Sequence, residues 1–100
     1  MPVQFSNHAL EKARRRGVNM SLAYQTLKNP DDLYKDVEHE TMIAVKKIND
    51  KSVILAYKEE AEVVKVITIY YTTKVNRLIR SKTVRGTWKR VKYEHGTTNQ

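Results

Sequence analysis

The spacing of apolar residues changes character near Pro30, from a helical period to an extended one. Residues 7–16 read as a helix, because Ser6 can cap it, Phe5 and Leu10 can form a staple, and Gly17 can supply a left-handed residue past its end. A second, shorter helix follows through 21–29. Asn19 or Ser21 can cap it, Leu22, Ala23 and Leu27 form its buried side, and Asn29-Pro30 stops it. Beyond Pro30 the pattern predicts strands at 33–38, 41–48, 52–58 and 62–72. The separators 49–51 and 59–61 have the length of hairpin turns, so the strands are expected to pair as an antiparallel meander. The last two strands are apolar on both faces, as central strands are. After Thr73 the segment Thr73 to Lys82 suits either helix or strand, and Gly86 interrupts whatever precedes Trp88. The expected fold is therefore α+β, with two N-terminal helices packed on one face of a four-stranded antiparallel sheet over residues 1–73. Residues 74–100 are expected to form a basic C-terminal extension, and the other sheet face is left for a ligand.

Composition narrows the class. One hundred residues, 40% apolar and 30% charged, suit a single core. The chain has no cysteine, which excludes disulfides, thiolate zinc sites and cysteine nucleophiles, and fits a reducing cytoplasm as the expected location. The first residues lack a basic-then-apolar leader, and the most apolar stretch, Val66 to Tyr71, is too short to span a bilayer, so no membrane association is expected.

Charge changes the picture more. The net charge is +8, and it is unevenly placed. Residues 1–73 carry 11 Lys/Arg against 10 Asp/Glu, whereas residues 74–100 carry 8 against Glu94 alone. The basic positions Lys74, Arg77, Arg80, Lys82, Arg85, Lys89, Arg90 and Lys92 are interleaved with Trp88 and Tyr93, a mixture able to contact phosphates and stack on bases. Of these, Lys74, Arg77, Arg80, Lys82, Arg85, Trp88, Lys89 and Arg90, together with Arg15, form the expected nucleic-acid-binding set, with RNA favoured over DNA as the partner. The plainer alternative is a solvated tail kept basic for solubility. Likewise, the run Arg14, Arg15, Arg16 also complements the negative end of the first helix.

Candidate chemistry lies in two places. His8, Lys12 and Arg16 recur every four residues and share one arc of the first helix. An imidazole can move a proton from a 2′-hydroxyl while Lys and Arg stabilise charge on a phosphate, chemistry that needs no metal or other cofactor. A surface helix bearing such residues is also ordinary. On the final predicted strand, Thr68 and Tyr70 share a face, and Tyr71 and Thr73 share the opposite one. Their hydroxyls can bind a phosphate or base, although both residue types also simply favour strands. His39 and His95 have no second ligand at metal-binding spacing, and no phosphate-binding loop, dinucleotide fingerprint, nucleophile elbow or zinc-protease motif is present.

The order Ser6-x-His8-Ala9-x-x-Lys12-x-x-x-Arg16-Gly17-Val18, then Leu27-x-Asn29-Pro30, then Val66-Ile67-Thr68-Ile69-Tyr70 resembles the small DUF4258 family across residues 5–73. That family looks like a branch of the RelE-like group of toxin endoribonucleases and colicin nucleases. The resemblance implies that His8, Lys12, Arg16, Thr68 and Tyr70 face an active cleft. Lys12 stands where the pattern more often has Arg, which removes a planar fork from any phosphate contact. The implied function is a metal-independent, toxin-type endoribonuclease working by 2′-hydroxyl attack, with an antitoxin protein as partner. The alternatives are a non-catalytic nucleic-acid-binding module and an adaptor whose tail binds an acidic protein.

Overall fold

The computed structural model describes residues 2–91. The order of elements is β1 (Val3–Phe5), α1 (Asn7–Arg16), α2 (Met20–Lys28), β2 (Asp32–Asp36), β3 (Thr41–Ile48), β4 (Lys51–Glu60), β5 (Val63–Thr72), α3 (Val75–Val84) and β6 (Trp88–Arg90). The helix ends follow the capping chemistry. Ser6 Oγ accepts from Ala9 N at 2.9 Å, Asn19 Oδ1 accepts from Leu22 N at 2.8 Å, and Gly17 adopts φ 72 after α1. Phe5 packs edge-on against Tyr24 with ring centroids 5.6 Å apart, while Leu10 remains exposed, so the expected staple is replaced by an aromatic pair between β1 and α2.

The α+β class holds, and the architecture is richer than two helices on four antiparallel strands. Six strands form one mixed sheet in the order β1-β5-β4-β3-β2-β6, with β1 parallel to β5 and the remaining pairs antiparallel. Three residues of β1 carry no readable alternation, and their partner lies some sixty positions away, at Val64 to Val66. Residues 74–91 are not an appendage to the sheet. α3 lies against the face opposite α1 and α2, and β6 adds a sixth strand beside β2, pairing Tyr34 with Arg90 and Asp36 with Trp88. The predicted tail residues Lys92, Tyr93 and His95 lie outside the described residues.

Two cores result, one on each side of the sheet. Ala9, Ala13 and Ala23 let α1 and α2 approach Ala44, Val53, Leu55, Val66 and Ile69 closely. On the other face Tyr34, Ile43, Val45, Ile54, Ala56 and Trp88 cluster under Val75, Leu78 and Ile79 of α3. A β-bulge sets which β5 residues face which core. Ala56 pairs with Thr68 but Tyr57 pairs with Val66, so Ile67 is the extra residue. Val64 and Val66 precede it on the helix face. After it the alternation is shifted, so that Ile69 faces the helices and Thr68 and Tyr70 face α3.

Candidate functional site

α3 covers only part of its sheet face and leaves a cleft of about 270 Å³. Ile43, Ile54, Ala56 and Ile67 make its apolar floor, and Asp36, His39, Thr41, Thr68, Tyr70, Lys82 and Trp88 supply its polar groups. Thr68 and Tyr70 therefore meet on one wall, as their shared face requires. Burial pushes the Tyr70 phenol above its ordinary range, with the Arg16 charge opposing, so it is a neutral hydrogen-bond donor at neutral pH.

At the far wall the β2–β3 loop is built on one carboxylate. Asp36 Oδ1 accepts from the backbone N–H of Glu38 and of His39, each at 3.0 Å. Its Oδ2 receives Trp88 Nε1–H at 3.3 Å and lies 3.0 Å from His39 Nδ1. Burial alone pushes the Asp36 carboxyl up, but the backbone and side-chain hydrogen bonds from His39, its charge and the Trp88 bond together hold it below the ordinary range. Asp36 is thus an acceptor at neutral pH. In the neutral imidazole the hydrogen bond to this carboxylate places the proton on Nδ1, which leaves Nε2 of that form with a free lone pair. The imidazole is 68% exposed at the cleft rim. A carboxylate-held imidazole beside an ammonium and three hydroxyls can move protons at a bound phosphodiester. Among the described residues no three His, Cys, Asp or Glu side chains converge to hold a metal ion.

α1 takes over from β1 as the cover of the β5 edge. Ser6 N donates to Val66 O at 3.0 Å, Ser6 Oγ donates to Ile67 O at 3.2 Å, and Arg16 Nη1 donates to Ile69 O at 3.2 Å. Arg16 reaches around this edge, so that its guanidinium carbon lies 5.8 Å from the centre of the Tyr70 ring. Arg16 thereby approaches the cleft residue Tyr70 without itself lining the cleft. Its neighbours one and two turns back, half-buried Lys12 and exposed His8, are not among the cleft-lining residues. Neither side chain makes a hydrogen bond or ion pair among the described residues.

The remaining basic positions divide by use. Lys82 enters the cleft with its ammonium 5.9 Å from the Trp88 ring centre. Trp88 itself is 3% exposed, so it is a core residue and its ring is closed to base stacking. Arg90 is committed to the fold, donating to Asp32 Oδ1 at 3.0 Å and to the buried Tyr34 hydroxyl at 2.8 Å. Arg15 is exposed beside Glu11 at 3.8 Å. Lys74, Arg77, Arg80, Arg85 and Lys89 are exposed around α3 and β6.

Comparison with known families adds a name to this geometry. A family model described as a domain of unknown function, DUF4258, matches residues 5–71. The chain belongs to the DUF4258 family. The DUF4258 match runs from the last residue of β1 nearly to the end of β5 and takes in His8, Lys12, Arg16, His39, Thr68 and Tyr70. α3 and β6, which bring Lys82 and Trp88 to the cleft, lie beyond the DUF4258 span. No curated protein and no solved structure matched the chain. Among the described residues, no helix is long and apolar enough to cross a membrane.

His39 and Asp36 are the site residues that sequence reasoning passed over. The available signal was the Asp36-x-x-His39 spacing across a hairpin connection, where an Asp at the strand end organises the loop and can hold a side chain three residues on. Judged only as a metal ligand, His39 had no partner.

Proposed function

We propose that this DUF4258 chain is an endoribonuclease of the RelE-like kind that binds a single strand across the α3 face of its sheet. The observation that supports it is the cleft in which an ionised Asp36 holds His39 opposite Thr68 and Tyr70, with Lys82 also in its lining. In this reading His39 Nε2 takes the proton of a 2′-hydroxyl. The 2′-oxygen attacks the adjacent phosphorus, the bond from phosphorus to the 5′-oxygen breaks, and that oxygen leaves with a proton supplied from His39 or water. The products are a 2′,3′-cyclic phosphate and a 5′-hydroxyl. Lys82 stabilises the charge that builds on the phosphate, Thr68 and Tyr70 donate hydrogen bonds to its oxygens, and Asp36 is a positioning residue. Arg16 extends the cationic surface over the edge of β5, with Lys12 and His8 behind it on the same side of α1. An antitoxin partner, in the same reading, covers this surface with a segment of opposite charge.

The test is cleavage of a single-stranded RNA in the presence of EDTA. Loss of the general base predicts about a 100-fold or greater fall in rate for His39→Ala, with RNA affinity retained, and no cleavage where the 2′-hydroxyl at the scissile position is replaced by hydrogen. Cleavage that survives His39→Ala but disappears in His8→Ala transfers the proton role to α1. Tight binding with no cleavage by the wild-type chain favours the non-catalytic module.

A further inference from the structure

A second hollow, of about 420 Å³, lies on the same sheet face at the other end of α3. Its floor is one row across three strands, since Lys47 pairs with Ser52 and Ser52 pairs with Thr72. All three side chains point to the α3 side, in step with Val45, Ile54 and Tyr70. Above them stands the first turn of α3. Its N-cap, Lys74, makes no side-chain capping bond, and the turn holds no acidic residue. The N–H groups of Val75, Asn76 and Arg77 have no partner within the helix and carry the positive end of its dipole. Arg77 closes one side, Lys51 borders the hollow but turns its ammonium to the Tyr71 ring 4.4 Å away on the opposite sheet face, and Asp50 is the acidic member of the lining.

Ser52 marks the hollow as more than a helix end among lysines. It is 2% exposed, lines the hollow, and its hydroxyl makes no hydrogen bond among the described residues. A buried hydroxyl left unpaired costs stability unless a ligand completes it. Thr72 points the same way, because its Oγ1 accepts from Lys74 N at 3.0 Å and so keeps its own proton to donate. Hydroxyl protons, unpaired helix N–H groups and ammonium groups are all donors, and together they select a compact, multiply charged oxyanion.

We propose that this hollow binds a phosphate group, held by Ser52, Thr72 and the first turn of α3 and neutralised by Lys74 and Arg77. The phosphate belongs to the strand whose scissile bond lies in the cleft. The seven helical steps from Val75 to Lys82 span about 10 Å, which a single strand bridges within a few nucleotides. This assignment to a strand rests on the endoribonuclease reading, whereas the anion site itself does not.

Two titrations separate those claims. Inorganic phosphate followed by amide NMR should shift Ser52, Val75, Asn76 and Arg77 saturably in the full chain, and not in Ser52→Val or in the exposed double variant Lys74→Ala/Arg77→Ala. No saturation, or shifts spread evenly over all exposed lysines, overturns the site. A single-stranded RNA oligonucleotide should displace the bound phosphate. Its affinity should also lose salt dependence in the double variant, the log–log slope shrinking by about 0.7 for the lost phosphate contact. If phosphate saturates but the oligonucleotide neither displaces it nor changes slope, the site takes a free phosphate and the strand assignment fails. If RNA binds and its slope shrinks as expected while His39→Ala has no effect on cleavage, the subsite stands and the catalytic reading falls.

Discussion

At the residue scale, Asp36 connects stability to chemistry. The same carboxylate organises the loop, receives the Trp88 N–H and orients His39. Its folded value lies below the ordinary aspartate value of about 3.9. Above that ordinary value the carboxylate is ionised in both folded and unfolded chains, and its contribution to stability is complete. As pH falls toward and through the lowered folded value, the unfolded chain takes up the proton first and the contribution is lost. Asp36→Asn should therefore cost about 1–3 kcal/mol at pH 7, the scale for a buried hydrogen bond to a charged group. The gap to wild type should narrow below about pH 4. Urea unfolding at several pH values checks both statements, and a gap independent of pH would contradict them. The same substitution removes the acceptor that fixes the His39 tautomer, so the pH–rate profile should change shape as well as height.

At the element scale, the β4–β5 hairpin is closed by Ala61-Glu62, both with positive φ at 51 and 63. That is the two-residue turn whose twist suits a hairpin, made from residues that pay for the left-handed region. Replacing the pair by Asn-Gly should raise stability by about 1–2 kcal/mol, read as a higher denaturant midpoint with an unchanged slope, and should leave RNA binding untouched. The contrast with α1 and α2 explains what was legible in the sequence. Ser6, Asn19 and Gly17 announce the helix ends by local chemistry, and the long strands β3, β4 and β5 announce themselves by run length. The strand period puts Thr68 and Tyr70 on one face, as in the folded sheet, but which face depends on Ile67, an extra residue that only its pairing with β4 reveals. β1 and β6 are three residues each and owe their existence to distant partners, and α3 buries only a half-exposed stripe against the sheet. Such elements carry tertiary information, which a local pattern does not contain.

At the scale of the whole molecule, the division into a nearly neutral fold and a basic tail gives way to a different one. Charge is concentrated around α3, while Trp88, which arrives with the same segment, is core. Ending the chain after Thr73 removes the cover from Tyr34, Ile43, Val45 and Ile54, all at most 4% exposed. Such a fragment should lose its cooperative unfolding transition and bind a hydrophobic dye. A cooperative transition at the wild-type midpoint would show instead that residues 1–73 fold independently.

The parallel pairing of β1 with β5 also has a consequence in time. β1 finds its partner only after Val66 has emerged from the ribosome, and the Arg16 bond to Ile69 forms later still. Hairpins β2–β3 and β3–β4 need only their neighbours and can form during synthesis, since short loops close cheaply. The edge that joins α1 to β5 is therefore assembled after those hairpins. A nascent chain has its central hairpins before it has its site.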